Sequence, residues 1–217
     1  MALDTPLTWS VVIPVKVLAL AKSRLAGLEN ADRRELALAM AVDTVAAAVA
    51  CPLVGAVVVV TDDQAVTSEV AALGAEAIAD SPAAGLNRAL TAGAEHASAR
   101  WPGYGLAALL ADLPALSAAE LTAALTAASA LTQAYMADAA GSGTTLYTAR
   151  PETAFSPRFG PGSRARHRQA GATELDAPTD SGLRQDVDTF ADLCSAAAIG
   201  LGRRSASLAT AITASRC

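Results

Sequence analysis

Aromatic side chains are scarce in this sequence, 4% of a 217-residue chain that is 53% hydrophobic. A core built without them must be filled by alanine, valine and leucine, of which alanine favours helix and runs of valine favour strand. Cysteine is scarce too. Cys51, Cys194 and Cys217 are odd in number, far apart and form no CxxC pair, which argues against a disulfide framework or a thiolate zinc site and reads them as structural thiols. Long apolar runs are also missing: stretches such as LAALLA at Leu106 to Ala111 fall far short of the ~20 residues that a membrane-spanning helix needs. The first ten residues, MALDTPLTWS, lack the charged-then-apolar order of a signal peptide, so a soluble protein of the cytoplasm is expected.

Basic charge is limited and local. With a formal net charge of -5, the chain lacks the broad basic surface that displaces counterions from nucleic acid. Of its 16 basic residues only two are lysine, and both, Lys16 and Lys22, lie with Arg24 in the stretch VVIPVKVLALAKSRLAGL.

A chain of this length can bury a full core as one domain, residues 1–217, without a structural metal. Short β-rich apolar runs at Val11 to Ile13, Val54 to Val60, Ala75 to Ile78 and Leu106 to Leu110 read as buried parallel strands. Helical spacing runs over Asp32 to Ala50, Asp63 to Leu73 and Leu86 to Arg100. Strand and helix thus alternate as in an α/β sheet flanked by helices. SAAE at Ser117 to Glu120 fits a capping box that opens a further helix. The stretch from Ala134 to Ala172 combines two expected strands with a loop rich in turn residues and a cluster of Arg164, Arg166, His167 and Arg168, and closing helices are expected from Thr189 onward.

The first strand of such a sheet delivers its loop to the carboxyl rim, where ligands of these folds bind. Lys16 and Lys22 are six residues apart and would not share a helix face, but a loop can converge them with Arg24 on one anion. No GxxxxGK[ST] or GxGxxG is present there, so side-chain cations must replace the glycine cradle. Asp112 follows the strand LAALLA and falls at the same rim. In the DVD segment, Asp186 and Asp188 are two apart and would point to one side of an extended stretch, or Asp188 would cap a helix. Three carboxylates beside a basic loop suggest phosphates held through Mg2+, a hard cation that takes oxygen ligands. Histidine chemistry has little support: His96 lies in a helical run, and His167, among arginines, would support anion binding.

Five ordered blocks, IPVKVLALAKSRLA, ADLPAL, DAAGSGTTLY, FGPGSRARH and LRQDVDTFADL, make the chain resemble the 2-phospho-L-lactate or phosphoenolpyruvate guanylyltransferases (CofC or FbiD family) of coenzyme F-420 biosynthesis. The resemblance implies a Rossmann-like nucleotidyltransferase fold, MobA- or GT-A-like, with a mostly parallel sheet. It implies that Asp112, Asp186 and Asp188 hold two Mg2+ ions, and that Thr145, Gly160 and Ser163 receive a three-carbon phosphorylated acid. Lys16, Lys22 and Arg24 would meet the triphosphate of GTP and, with Asp112, carry catalysis. Where the family often has DPGGGLN this chain has DSPAAGLN, keeping Gly85 and Asn87 for the nucleotide.

The implied reaction joins GMP from GTP to phosphoenolpyruvate and releases pyrophosphate. The same reaction on 2-phospho-L-lactate or 3-phosphoglycerate stays open. So do a nucleotidyltransferase for molybdopterin or a sugar phosphate, and a non-catalytic nucleotide-binding module. The implied partners are GTP and the acid, without nucleic acid or membrane; hand-over of product to the downstream transferase and a homodimer are left open.

Overall fold

Runs of β-branched residues separated by alanine-rich amphipathic segments leave the chain one economical solution, a sheet covered on both faces by helices. The computed structural model describes residues 6–16, 29–80 and 85–213. Lys22 and Arg24 lie outside the described residues.

Among these, β1 (Trp9–Pro14), α1 (Asn30–Val49), β2 (Val54–Val60), α2 (Gln64–Ala72), β3 (Glu76–Ile78), α3 (Leu86–Arg100), β4 (Gly105–Leu109) and α4 (Ala118–Ala128) alternate as the sequence predicts. β5 (Gln133–Ala137) and β6 (Thr144–Ala149) supply the two further strands, followed by α5 (Ser163–Gln169), β7 (Thr173–Glu174), α6 (Phe190–Ile199) and α7 (Arg203–Thr213). The seven strands lie in the order β3-β2-β1-β4-β6-β5-β7. β1 is parallel to β2 and β4, and β2 to β3. β6 runs against β4 and β5, while β5 is parallel to β7. All strands but β6 therefore share one direction.

Alternation along the strands sorts the core into two faces. Trp9, Val11 and Ile13 pack with Val57 and Val59 under α1, α2 and α4. Val12 and Val60 face the other way, with Ala89, Leu90 and Ala94 of α3 and with Tyr135, Tyr147 and Phe159. A third cluster joins Leu36 and Met40 of α1 to Ala115, Val187, Leu193 and Ala209, so the C-terminal helices close over the first one. The buried Asp43 of α1 completes this closure by accepting from the Arg204 and Ser205 amides at 3.1 and 2.7 Å, which caps α7 from a different helix.

Local expectations hold at Ser117, whose side chain accepts from the Glu120 amide in a capping box. Asp188 does not cap α6. Thr189 does, in a second capping box with Asp192, because it is the residue whose hydroxyl reaches the third amide of the helix. Arg164 to Arg168 form the helix α5 instead of a loop, started by Gly162 in the left-handed region. Cys51 is a buried free thiol, whereas Cys194 is disulfide-bonded, a departure from the reading of all three cysteines as thiols.

Candidate active site

In an open α/β sheet the ligand crevice lies outside the carboxyl ends of the strands, where the strand order reverses. Here the reversal falls between β1 and β4. The exposed Lys16 follows β1, and Asp112 follows β4. Beyond β2 and β3 stand Asp62 and Asp80, with the Asp80 amide donating to Asp62 Oδ1 at 3.0 Å. Burial and then Asp62 raise the Asp80 carboxyl above its ordinary range, while the nearby Lys16 ammonium opposes the rise. Lys16 is thus a cation at an otherwise acidic edge.

The DVD segment is brought to Asp112 by backbone contacts. Val187 donates to the Asp112 carbonyl at 3.0 Å. Upstream, Gly182 passes so close to the Ala115 backbone that a Cβ there would stand 2.0 Å from its carbonyl oxygen, so only glycine allows the approach. Glu120 accepts from the Gly182 amide and the Ser181 hydroxyl, both at 2.7 Å, which ties the capping box of α4 to the same segment.

Asp186 is half-buried in this arrangement. Burial first, then the charges of Asp112, Asp138 and Asp188, push its carboxyl up from 3.8 to about 7. Four carboxylates therefore gather at one rim. Asp138 was not singled out from the sequence, though it follows the apolar run of β5 as Asp112 follows that of β4. Its carboxylate accepts from the Ser142 and Gly143 amides at 2.9 and 2.8 Å and shapes the β5–β6 turn.

Among the described residues no three His, Cys, Asp or Glu side chains form a closed cation cage. The donor set still suits a hard cation. All four groups offer oxygen, and the raised Asp186 marks a surplus of negative charge that a divalent ion would offset. Mg2+ commonly takes one or two carboxylates and completes its shell with water and substrate phosphate.

Next to this rim the structure places Thr145, Gly160 and Ser163. Thr145 is fully buried near the start of β6; its carbonyl accepts from Leu110, and its Oγ1 has no hydrogen-bond partner. Gly160 has φ +115°, a backbone that favours glycine. The Ser163 amide donates to the Gly160 carbonyl at 3.0 Å, and Ser163 is buried at the first position of α5.

The loop that carries Gly160 is held from two sides. Asn87 of α3 accepts from the Phe159 amide through Oδ1 at 2.8 Å and donates through Nδ2 to the Phe159 carbonyl at 3.1 Å. Both ends of the Asn87 amide are thereby engaged with the loop. Gly85, at φ +97°, starts α3 without a side-chain cap.

On the other side, His167 is fully buried between Tyr135 and Tyr147, with ring centroids 5.7 and 4.9 Å away, and meets the edge of Phe159. Its Nε2 accepts from the Arg158 amide at 2.9 Å, which leaves Nδ1–H to donate to Thr144 Oγ1 at 3.0 Å. Burial, aided by Arg166 and Arg158, lowers it from 6.5 to about 4. His167 is therefore a neutral frame for the loop and not the anion-binding cation that its neighbours suggested.

The adjoining arginines are largely spent on structure. Glu174 binds Arg164 and Arg168 at 2.7 and 2.8 Å and accepts from the Tyr135 hydroxyl at 2.7 Å. Burial would raise this carboxyl, but the three donors outweigh it and hold it at about 2.

Residues 9–208 match the family described as guanylyl transferase CofC like. The chain is 53% identical over 211 residues to the phosphoenolpyruvate guanylyltransferase of Thermomonospora curvata, covering 97% of this chain and 92% of that one. It is 53% identical over 204 residues to the enzyme of the same name from Streptomyces coelicolor, covering 93% and 95%. A solved structure from Desulfovibrio desulfuricans G20, assigned as a nucleotide-diphospho-sugar transferase, superposes with a TM-score of 0.62 at 15% identity, over 88% of this chain and 96% of that one. That likeness shows the nucleotidyltransferase fold. Among the described residues no helix is long and apolar enough to cross a membrane. The chain belongs to the CofC-like guanylyltransferase family.

Proposed function

We propose that this chain, as one domain, moves GMP from GTP to phosphoenolpyruvate in the cytoplasm, giving enolpyruvyl-diphospho-5'-guanosine and pyrophosphate as a step of coenzyme F-420 biosynthesis. The observation that carries this reading is the 53% identity, across 97% of the chain, to a relative named for that activity.

The rim supports it chemically. Lys16, joined by Lys22 and Arg24 from the sequence that follows it, would neutralise the β- and γ-phosphates as pyrophosphate leaves, the part that backbone amides take in glycine-rich loops. Thr145, Gly160 and Ser163 would receive the acid through a hydroxyl and peptide groups. Two Mg2+ ions held by Asp112, Asp186 and Asp188 would supply charge shielding between the two anions and stabilise the entering and departing oxygens. A phosphate nucleophile is already ionised near neutral pH, so no general base is needed. That fits a site whose nearest histidine is buried and neutral. Gly85 and Asn87, at the start of α3, would serve the nucleotide, Asn87 through the loop that it anchors.

The test is incubation with GTP, Mg2+ and each of phosphoenolpyruvate, 2-phospho-L-lactate and 3-phosphoglycerate, following pyrophosphate and the mass of the product. Turnover highest with phosphoenolpyruvate is expected. Silence with all three would sink the proposal.

A further inference from the structure

On the acceptor side one arginine is placed but unspent. Arg164 and Arg168 are committed to Glu174, and Arg166 donates to the carbonyls of Arg158 and Pro161. Arg184 differs from these three. Its main chain is fixed, the carbonyl accepting from Ala139 at 2.8 Å and the amide donating to Ser181 at 3.1 Å. Its side chain donates through Nη2 to the Asp138 carbonyl at 3.2 Å, and its Nε is buried with no hydrogen-bond partner. Among the described residues it forms no ion pair, although Asp186 is only two positions away.

A buried guanidinium hydrogen without an acceptor is costly, and the group cannot shed its charge to escape the cost. An anion bound beside it would supply the missing acceptor. The turn that Arg184 touches is also the turn that α5 touches: the Gly141 and Ser142 carbonyls accept from the Arg164 side chain and amide at 2.9 and 3.2 Å. One turn therefore connects Arg184 to the loop of Gly160 and Ser163.

The acid presents two anions. Its phosphate is the nucleophile and is served by the metal site. Its carboxylate enters a rim already crowded by Asp112, Asp138, Asp186 and Asp188 and needs a local cation. The planar fork of a guanidinium matches a carboxylate through two parallel hydrogen bonds.

We infer that Arg184 binds the carboxylate of the three-carbon phosphorylated acid and so selects acceptors that carry a carboxylate beside the phosphate. This inference rests on the acceptor reading given under Proposed function.

The test compares phosphoenolpyruvate with vinyl phosphate, which lacks the carboxylate, in the wild type and in Arg184→Gln, Arg184→Lys and Arg158→Gln. Circular dichroism and melting check the fold of each. Arg184→Gln is expected to raise the KM for phosphoenolpyruvate about 10- to 100-fold, leave the KM for GTP within about twofold, and bring the kcat/KM ratio of the two acceptors close to one. Arg184→Lys, which keeps the charge but loses the fork, should fall between and serves if the glutamine variant does not fold.

A folded Arg184→Gln that keeps the preference overturns the inference. So does a rise in the KM for GTP in its place, or loss of the preference in Arg158→Gln instead. Should the wild type turn over neither acceptor, the proposed activity falls, and calorimetric titration of phosphoenolpyruvate with Mg2+ still decides the role of Arg184. Binding at least tenfold weaker in the variant supports it; equal binding, or none to the wild type, overturns it.

Discussion

Val187 and Asp112 are joined by a main-chain hydrogen bond of 3.0 Å, so two segments far apart in sequence meet without using either carboxylate of the DVD pair. Replacing the Asp112 side chain leaves that bond in place. Asp112→Asn is expected to cut pyrophosphate release by at least about 100-fold while its melting temperature stays within a few degrees of the wild type. Normal turnover in the folded variant would remove Asp112 from the metal site.

Lys16 stands against the acidic edge formed by Asp62 and Asp80. In Lys16→Met the KM for GTP should rise about tenfold, with the KM for the acid unchanged, if the cation after β1 meets the triphosphate as proposed. Steady-state kinetics with each substrate varied in turn separates the two.

Asn87 spends both amide atoms on Phe159. Asn87→Ala leaves a backbone donor and acceptor of the loop without partners, a cost of about 1–3 kcal/mol. The expected signature is a lower melting temperature with a raised KM for the acid. The preference for GTP over ATP is expected to stay unchanged, because both Asn87 amide atoms are engaged with Phe159. Loss of base preference alone would assign Asn87 directly to the nucleotide.

His167 binds fewer protons when folded than when unfolded, since burial and then Arg166 and Arg158 bring it from 6.5 to about 4. A lowered value of this kind gives stability that is fully present above pH 6.5 and is lost as the pH falls from 6.5 towards 4. The contribution is on the order of 3 kcal/mol. Urea unfolding from pH 7.5 to 4.5 should show this decline, and His167→Phe should flatten it over the same window. An unchanged slope in the variant would place the acid sensitivity elsewhere.

A divalent ion held at the crowded rim of Asp112, Asp138, Asp186 and Asp188 would stabilise the fold as well as assist the reaction. Millimolar Mg2+ added after chelation should raise the melting temperature by several degrees. Asp186→Asn should reduce that rise. An equal response in the variant would take Asp186 out of the ligand set.

The sheet was legible because VGAVVVV and its kin are β-branched runs ended by Asp or Thr, and the covering helices because alanine and leucine recur at helical spacing. Asp112 could be found as an acid that ends a strand. The same signal marked Asp138 after QAYMA, but a following AAGSG reads as turn chemistry, and turn chemistry is indeed part of what Asp138 does. α5 was hidden because SRARHRQ has no apolar stripe; its stability comes from His167 packed between two tyrosines and from Glu174 gathering Arg164 and Arg168. Long-range partnerships of this kind leave no local pattern, and neither do the Asn87–Phe159 clasp and the unspent Nε of Arg184.

The reversed strand β6 changes what the rim can offer. A parallel strand in its place would end at the rim and lead away into a crossover of a dozen or more residues. Running the other way, β6 begins there, and the short turn from Asp138 to Gly143 takes the place of a crossover. A hairpin tip can be lengthened or recomposed at little entropic cost without shifting the strands behind it. The tip of the β5–β6 hairpin is thus a replaceable part of the rim, mounted beside parallel strands that leave far less freedom.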